Sequence, residues 1–424
     1  MADAVGIGLI GTGGVATLHA NAINAVEGLE VAGAFSRTPE NVRRFVDTQG
    51  GRAFESQDAL LADDSVEVVA VCSPAPEHVS QAVAALRAGK HVVVEKPMAL
   101  NLQEAQAMCD AARRTGNVLI AGHTRSFIPP FRKMYSIIQS GQLGAVRSIN
   151  FMAYTDWLLR PRVTEELDLA QGGGLVYRQG PHQIDTVRLL GGGMIKNVRG
   201  VVGQWMPERP IPGYYSALFE FENGAFSTII HNAHGYFMGA QLVPWGHDRQ
   251  RYDEAERMLV RNGMITGTRD EESDKQAIRI GGEREVEVFK REGQNRDPGG
   301  EPWVPAEPGF VVVSCDRGDI TRSAYGITVY DNNGHHTIDL KPPSGWAMNR
   351  RAELKELYDA VVEGAPVYHT PEWGMATLEA TLAVIESGRT GELIELKHQV
   401  PVHEQYANAK IFDQLPSEAG VLVG

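Results

Sequence analysis

Cysteine is scarce. Cys72, Cys109 and Cys315 are the only three in 424 residues, far apart, odd in number and never in a C-x-x-C pair. That excludes a disulfide framework and a cysteine-built zinc site, and it suits a reducing cytoplasm. Positive charge is in deficit as well: Lys+Arg 40 against Asp+Glu 53 leaves a net charge of −13. No basic footprint for a phosphate backbone or an anionic membrane exists, so neither nucleic acid nor membrane is expected as a partner. No apolar run approaches the roughly 18 residues of a membrane span, and Met1–Ala4 lacks the basic segment that opens a secretory signal. A soluble, cytoplasmic protein is expected.

Hydrophobic residues at 43% and charged residues at 22% are ordinary globular usage, so the chain should fold rather than remain disordered. At roughly 150 residues per domain its length suits two or three domains. Glycine is the residue in excess, 46 in all, against an average of about 7%.

Val5–Ile10 is an apolar run of strand length that ends in Gly11-Thr12-Gly13-Gly14-Val15-Ala16, after which Leu18, Ala22 and Val26 recur at helical spacing. Glu30–Phe35, Val66–Cys72, His91–Val94 and Val118–Ala121 are further strand-like runs, with a helical pattern through Val79–Leu86. Strand and helix in alternation predict βαβ units on a parallel sheet, a doubly wound domain over residues 1–125. From 126 to 400 the texture changes. Val146–Tyr154, Val198–Gln204, Ser216–Phe221 and Ala225–His231 are separated by turn signals and predict an open, mostly antiparallel sheet. Ile327–Tyr330 and Thr337–Leu340 flank Asn332-Asn333-Gly334 as a hairpin, while Arg350–Val362 and Met375–Ile385 predict helices. The charged stretch 244–310, centred on Asp297-Pro298-Gly299-Gly300-Glu301-Pro302, is expected to be a surface insertion, with a lid or an interface as the alternative; 401–424 is a tail.

Gly11-x-Gly13-x-x-Ala16 between a strand and a helix is the setting of a dinucleotide fingerprint. Glycines let backbone N–H groups and the helix N-terminus approach a pyrophosphate, and a small Ala16 lets helix and strand pack closely. Gly11, Gly13, Gly14, Val15 and Ala16 are thus assigned to NAD(P). About 20 residues on, where an acid would hold the ribose of NAD, the run is Phe35-Ser36-Arg37-Thr38. Arg37 could stack on adenine or meet a 2′-phosphate, so NAD and NADP both stay open. Ser36 and Ser73, each just past a strand, join the cofactor set. Glu95-Lys96-Pro97 follows His91–Val94 at the sheet's carboxyl edge, where a lysine can hydrogen-bond a reacting oxygen and the proline is compatible with a cis bond. In Gly172-Gly173-Gly174 to Asp185, His182 and Asp185 are three apart, on one helical face, so the carboxylate can orient the imidazole. His231-x-x-His234 has metal-ligand spacing but no carboxylate or cysteine nearby, so no metal is expected. His335-His336 is expected in the hairpin loop, solvated.

Together these motifs resemble the glucose–fructose oxidoreductase, inositol dehydrogenase and MocA (Gfo/Idh/MocA) family: the glycine fingerprint, Glu95-Lys96-Pro97, the glycine run with Gly180-x-His182-x-x-Asp185, and Ile394-Glu395-Leu396 as its closing strand. The resemblance covers about residues 5–400. It implies an N-terminal Rossmann domain, a C-terminal α/β domain with an open, mostly antiparallel sheet, and hydride transfer at an alcohol carbon beside Lys96 and His182, with the substrate between the cofactor domain and the second sheet. A homo-oligomer, dimer or tetramer, is implied too.

Many sugar enzymes of the family carry an Asp four residues before the histidine. Here that position is Arg178, a carboxylate reader. With Asp156–Arg162 and Ser314–Asp319 it resembles the phthalate cis-dihydrodiol dehydrogenases. The expected substrate is a carboxylated cyclohexadiene cis-diol, met by Lys96, Tyr154, Trp157, Arg160, Arg162, Arg178 and His182. A sugar or inositol dehydrogenase and a non-catalytic NAD(P) sensor are the alternatives.

Overall fold

The computed structural model describes residues 4–123, 125–245, 252, 254–279, 309–340 and 347–406. The expected centre of the insertion at 297–302 and the tail beyond 406 lie outside the described residues. The chain divides into two compact units, 1–124 with 347–378 and 125–346 with 379–424.

In the first unit, strands β1 (Val5–Ile10), β2 (Leu29–Phe35), β3 (Arg52–Ala53), β4 (Val68–Val71), β5 (His91–Glu95) and β6 (Leu119–Gly122) pair in parallel in the order 3-2-1-4-5-6. That is the doubly wound arrangement, whose ligand crevice opens where the order reverses between β1 and β4. β1 and β4 are buried along their whole length, as strands covered on both faces must be. Helices α1 (Gly14–Ile23), α2 (Pro39–Gln49), α3 (Gln57–Leu61), α4 (His78–Arg87) and α5 (Leu102–Thr115) supply the cover. The periodicity reading leaves α5 unmarked, although Asn101 caps it by accepting from the Glu104 N–H at 2.9 Å.

The contiguous division at residue 125 needs one amendment. Helix Ala347–Glu363 was expected as a helix of the second domain, yet its Leu354 and Leu357 are buried in one core with Ile7, Leu9, Ala20 and Ile23. Helical spacing shows that a segment has an apolar face but not which sheet receives it.

The second unit is built on α6 (Pro129–Ser140), β7 (Val146–Tyr154), α7 (Gly174–Gly191), β8 (Ile195–Gly203), β9 (Tyr214–Phe221), β10 (Phe226–Asn232), β11 (Phe310–Cys315), β12 (Gly318–Arg322), β13 (Gly326–Asp331) and β14 (Gly334–Asp339). The sheet order is 14-13-12-11-7-10-9-8, closed by the short strand Ile394–Glu395. Every neighbouring pair is antiparallel except β7 with β10. Alternation along β7, β9 and β10 buries Ile149, Phe151, Tyr215, Phe219, Ile229 and His231 on the face that α7 covers, while Leu218 and Phe226 are exposed.

Three local expectations change. His335 and His336 sit within β14, not in the hairpin loop, and both are exposed. Ser314–Asp319 is the β11–β12 hairpin, where Asp316 accepts from the Ala145 N–H at 2.8 Å and from Arg147 at 2.6 Å, so its acid serves the fold. Within the insertion, Glu254–Thr266 and Glu271–Arg279 are helical. Among the described residues no helix is long and apolar enough to cross a membrane.

Candidate active site

The glycine turn is shaped by two different constraints. Gly11 has φ +106°, and a Cβ there would stand 2.8 Å from the Cys72 backbone, so only glycine is accommodated. Gly13 has ordinary extended backbone, φ −81° and ψ −176°, and a Cβ would meet nothing within 4 Å. Open space at the mouth of α1, whose first turn carries no acid and whose cap position makes no side-chain hydrogen bond, fits a pyrophosphate held by helix N–H groups. Val15 is exposed and Ala16 buried, the latter packing helix on strand as expected. Thr12 donates to Ser36 Oγ at 3.0 Å, tying the turn to the end of β2, while Arg37 is exposed.

Lys96 is half-buried on a turn held from both sides. On one side the buried Glu95 carboxylate accepts from the Lys96 N–H at 3.2 Å. Arg350 Nη1 lies 2.5 Å from both Glu95 Oε1 and His19 Nε2, and His19 Nε2 lies 3.0 Å from the same carboxylate oxygen. Burial alone would raise Glu95, but Arg350 and then His19 overcome it and hold the acid well below the usual carboxylate range. Burial and Arg350 push His19 down to about 4 against the pull of Glu95. On the other side, after the cis Lys96–Pro97 bond, His78 Nδ1 is 2.9 Å from Pro97 O and its Nε2 is 2.9 Å from Ser73 O. Carbonyls only accept, so each contact calls for the N–H on its own side of the ring, and the tautomer decides which one donates. Ser73 donates in turn to Gln81 Oε1 at 2.6 Å. The sequence reading missed His19, His78 and Arg350. A histidine on the buried side of α1 and one opening α4 were visible signals; nothing local marks Arg350.

Glu353 lies one helical turn beyond Arg350, fully buried, its Oε2 3.8 Å from Arg350 Nη1. Burial, helped by Glu95 and opposed by Arg350, holds its carboxyl up at about 7. The sign follows: an acid whose proton is held more tightly in the folded chain adds stability that is complete below the ordinary value of 4.5 and is lost as pH rises through about 7. Glu353→Gln keeps the shape without the charge. Its stability relative to wild type should climb from pH 5 to pH 8 by on the order of 3 kcal/mol, at about 1.4 kcal/mol per tenfold in proton affinity. Denaturant melts at both pH values read this, and a difference that does not change with pH contradicts it.

In the second unit, the start of α7 explains the glycine run: a Cβ on Gly173 would stand 2.6 Å from the Glu166 and Asp168 carbonyl oxygens. Arg178 and His182 are one helical turn apart on the same face, with Pro181 inside the helix. His182 is 9% exposed and Arg178 half-buried. Asp185 is wholly buried, and burial pushes Arg188 down to about 9 against the opposing pull of the Asp185 charge. Thr186 donates to the His182 carbonyl at 2.8 Å. His231 hydrogen-bonds Thr155 at 3.1 Å and Gln183 at 3.2 Å, so its ring is engaged in a buried polar chain that Tyr215 extends through Gln183.

The remaining arginines are held within the fold. Arg160 donates to Asp156 at 3.1 Å, both groups buried. Arg162 stacks 3.8 Å from the Trp157 ring and donates to the Trp157 carbonyl at 2.7 Å. Trp157 itself is 1% exposed, and Tyr154, at the end of β7, meets Phe237 edge-on at 5.1 Å. The insertion helices clamp this arm: Lys275 donates to Glu166 at 2.9 Å, Arg269 to the Leu159 carbonyl at 2.7 Å, and Glu271 accepts from the Arg162 N–H at 3.1 Å. Glu166, raised by burial, is nevertheless brought down to about 2 by Arg162, Lys275 and Arg178. Arg178 is thus a further cation near Glu166, behind Arg162 and Lys275. The spacings Asp156-x-x-x-Arg160 and Arg162-x-x-x-Glu166 were readable signs that these cations had local partners.

The family model described as an oxidoreductase family with an NAD-binding Rossmann fold matches residues 5–123, and the GFO/IDH/MocA C-terminal domain matches 131–238. The chain is 32% identical over 395 residues to 1-carboxy-3-chloro-3,4-dihydroxycyclohexa-1,5-diene dehydrogenase of Comamonas testosteroni, covering 92% of this chain and 96% of that one. It is 25% identical to a myo-inositol 2-dehydrogenase of Thermotoga maritima over 45% of this chain and 56% of that one. A candidate dehydrogenase from Bordetella bronchiseptica RB50 superposes with a TM-score of 0.81 at 29% identity, covering 93% of this chain and all of the other, 100%.

Proposed function

Since this chain belongs to the Gfo/Idh/MocA oxidoreductase family, we propose that it oxidises a carboxylated cyclohexadiene cis-diol to a catechol with NAD(P). The observation that carries this reading is Arg178, half-buried one turn before His182 on the same face of α7. A relative that covers nearly the whole chain and is named for a carboxylated cyclohexadiene diol supports it. The bound nicotinamide supplies a hydride acceptor for the carbinol C–H. His182 takes the hydroxyl proton, with Asp185 supporting the imidazole. Lys96 hydrogen-bonds the same oxygen as it becomes a carbonyl. The carbinol thus gives up one hydride and one proton, and the enone tautomerises to the catechol. Tyr154 and Trp157 flank the substrate, while Arg160 and Arg162 shape the arm around it. Arg37, with no acid at the end of β2, accommodates either NAD or NADP. The same reading places the protein in the cytoplasm as a homo-oligomer.

Arg178→Ala should raise KM for the carboxylated diol by roughly tenfold or more with kcat little changed, because a contact made equally in ground and transition states sets binding. Charge-assisted arginine–carboxylate contacts are of that strength. Unchanged KM would turn Arg178 away from the substrate.

A further inference from the structure

We propose that Arg350, on the helix that returns to the first unit, is a positioning residue for Lys96, acting through the Glu95 carboxylate. This rests on the reading of Lys96 given above and extends it to a residue 254 positions away in sequence. Glu95 is bound to the lysine turn covalently and by the Lys96 N–H at 3.2 Å. Its carboxylate is buried, where an unpaired charge is not tolerated, and Arg350 Nη1 at 2.5 Å is the cation that answers it. His19 closes the triangle from α1, the helix that follows the glycine turn. One guanidinium nitrogen therefore stands between the middle of α1 and the end of β5, from which the lysine springs. With Arg350 removed, Glu95 must take up a proton, turn towards water or draw a proton onto His19, and each outcome alters the contacts that hold residues 95–97. Misplacement of a reacting group by about 1 Å can cost 10²-fold in rate.

The same geometry says which substitutions rescue. The contact runs through a single nitrogen, so an ammonium can stand in for it, and Arg350→Lys should keep most of the effect that Arg350→Met loses. Because Arg350 works through Glu95, Glu95→Gln should cost about as much as Arg350→Met, and the double variant no more than either alone.

The test uses full-length wild type, Arg350→Met, Arg350→Lys, Glu95→Gln and the double variant, with circular dichroism confirming that each is folded at the assay temperature. Two quantities are read: kcat and KM for the substrate, and the NAD(P)H dissociation constant by fluorescence, which needs no substrate. Expected are a fall in kcat of about 10²-fold for either single neutral variant with KM within about threefold, and NAD(P)H binding weakened alike in both and no further in the double. Arg350→Lys should recover to within about fivefold of wild type. Unchanged kcat and NAD(P)H affinity with only a lower melting temperature would overturn the proposal, and so would losses that multiply in the double variant. If wild type turns over no carboxylated diol or polyol, the substrate reading fails separately, and the NAD(P)H series still decides the role of Arg350.

Discussion

His182→Ala should lower kcat by about 10²–10⁴-fold at saturating substrate, the usual contribution of a positioned proton transfer, and Lys96→Met should do the same. The expectation follows from how each group is held. His182 is nearly buried in α7, a helix covered by its own sheet, so loss of the imidazole leaves no solvent-borne base at full effect. Lys96 stands on a turn held by His78 on one side and Glu95 on the other, so the backbone that presents its side chain is fixed before the substrate arrives. Both effects should fall on kcat more than on KM, because proton removal and oxygen stabilisation are completed only in the transition state. Near-normal turnover by His182→Ala would move the base elsewhere, to Lys96 first and Tyr154 next.

Gly13→Val should abolish NAD(P)H binding and leave the melting temperature unchanged. The backbone at Gly13 is one that valine adopts without strain, and a Cβ there meets nothing within 4 Å among the described residues, so the added side chain should obstruct what lies over the helix mouth. Gly11→Ala is the contrasting case. A Cβ 2.8 Å from the Cys72 backbone at φ +106° costs stability through strain as well as cofactor affinity. Calorimetry with NAD(P)H beside thermal melts separates the two, and unchanged affinity in Gly13→Val would remove the pyrophosphate from this turn.

What was legible in the sequence is what is local. The fingerprint, the lysine turn and the His182 segment are contiguous runs whose chemistry depends on neighbours one to four residues apart. The parallel and antiparallel textures of the two sheets were readable for the same reason, since strand alternation and helix spacing are short-range patterns. The supports of the site were not, because they are long-range. His19 reaches Glu95 across 76 positions and Arg350 reaches His19 across 331, and no spacing rule covers such pairs. Arg160 and Arg162 carry a further local signal: the partners that engage them, Asp156 and Glu166, stand four residues away in plain view.

The central claim is the substrate, and nicotinamide reduction by the native protein tests it most directly. With a phthalate-type or benzoate-type carboxylated cis-dihydrodiol and NAD or NADP, absorbance should show NAD(P)H forming in step with a catechol, while myo-inositol and glucose at the same concentration give little. Rapid turnover of the uncharged inositol or sugar, with none of the carboxylated diols oxidised, would contradict the account.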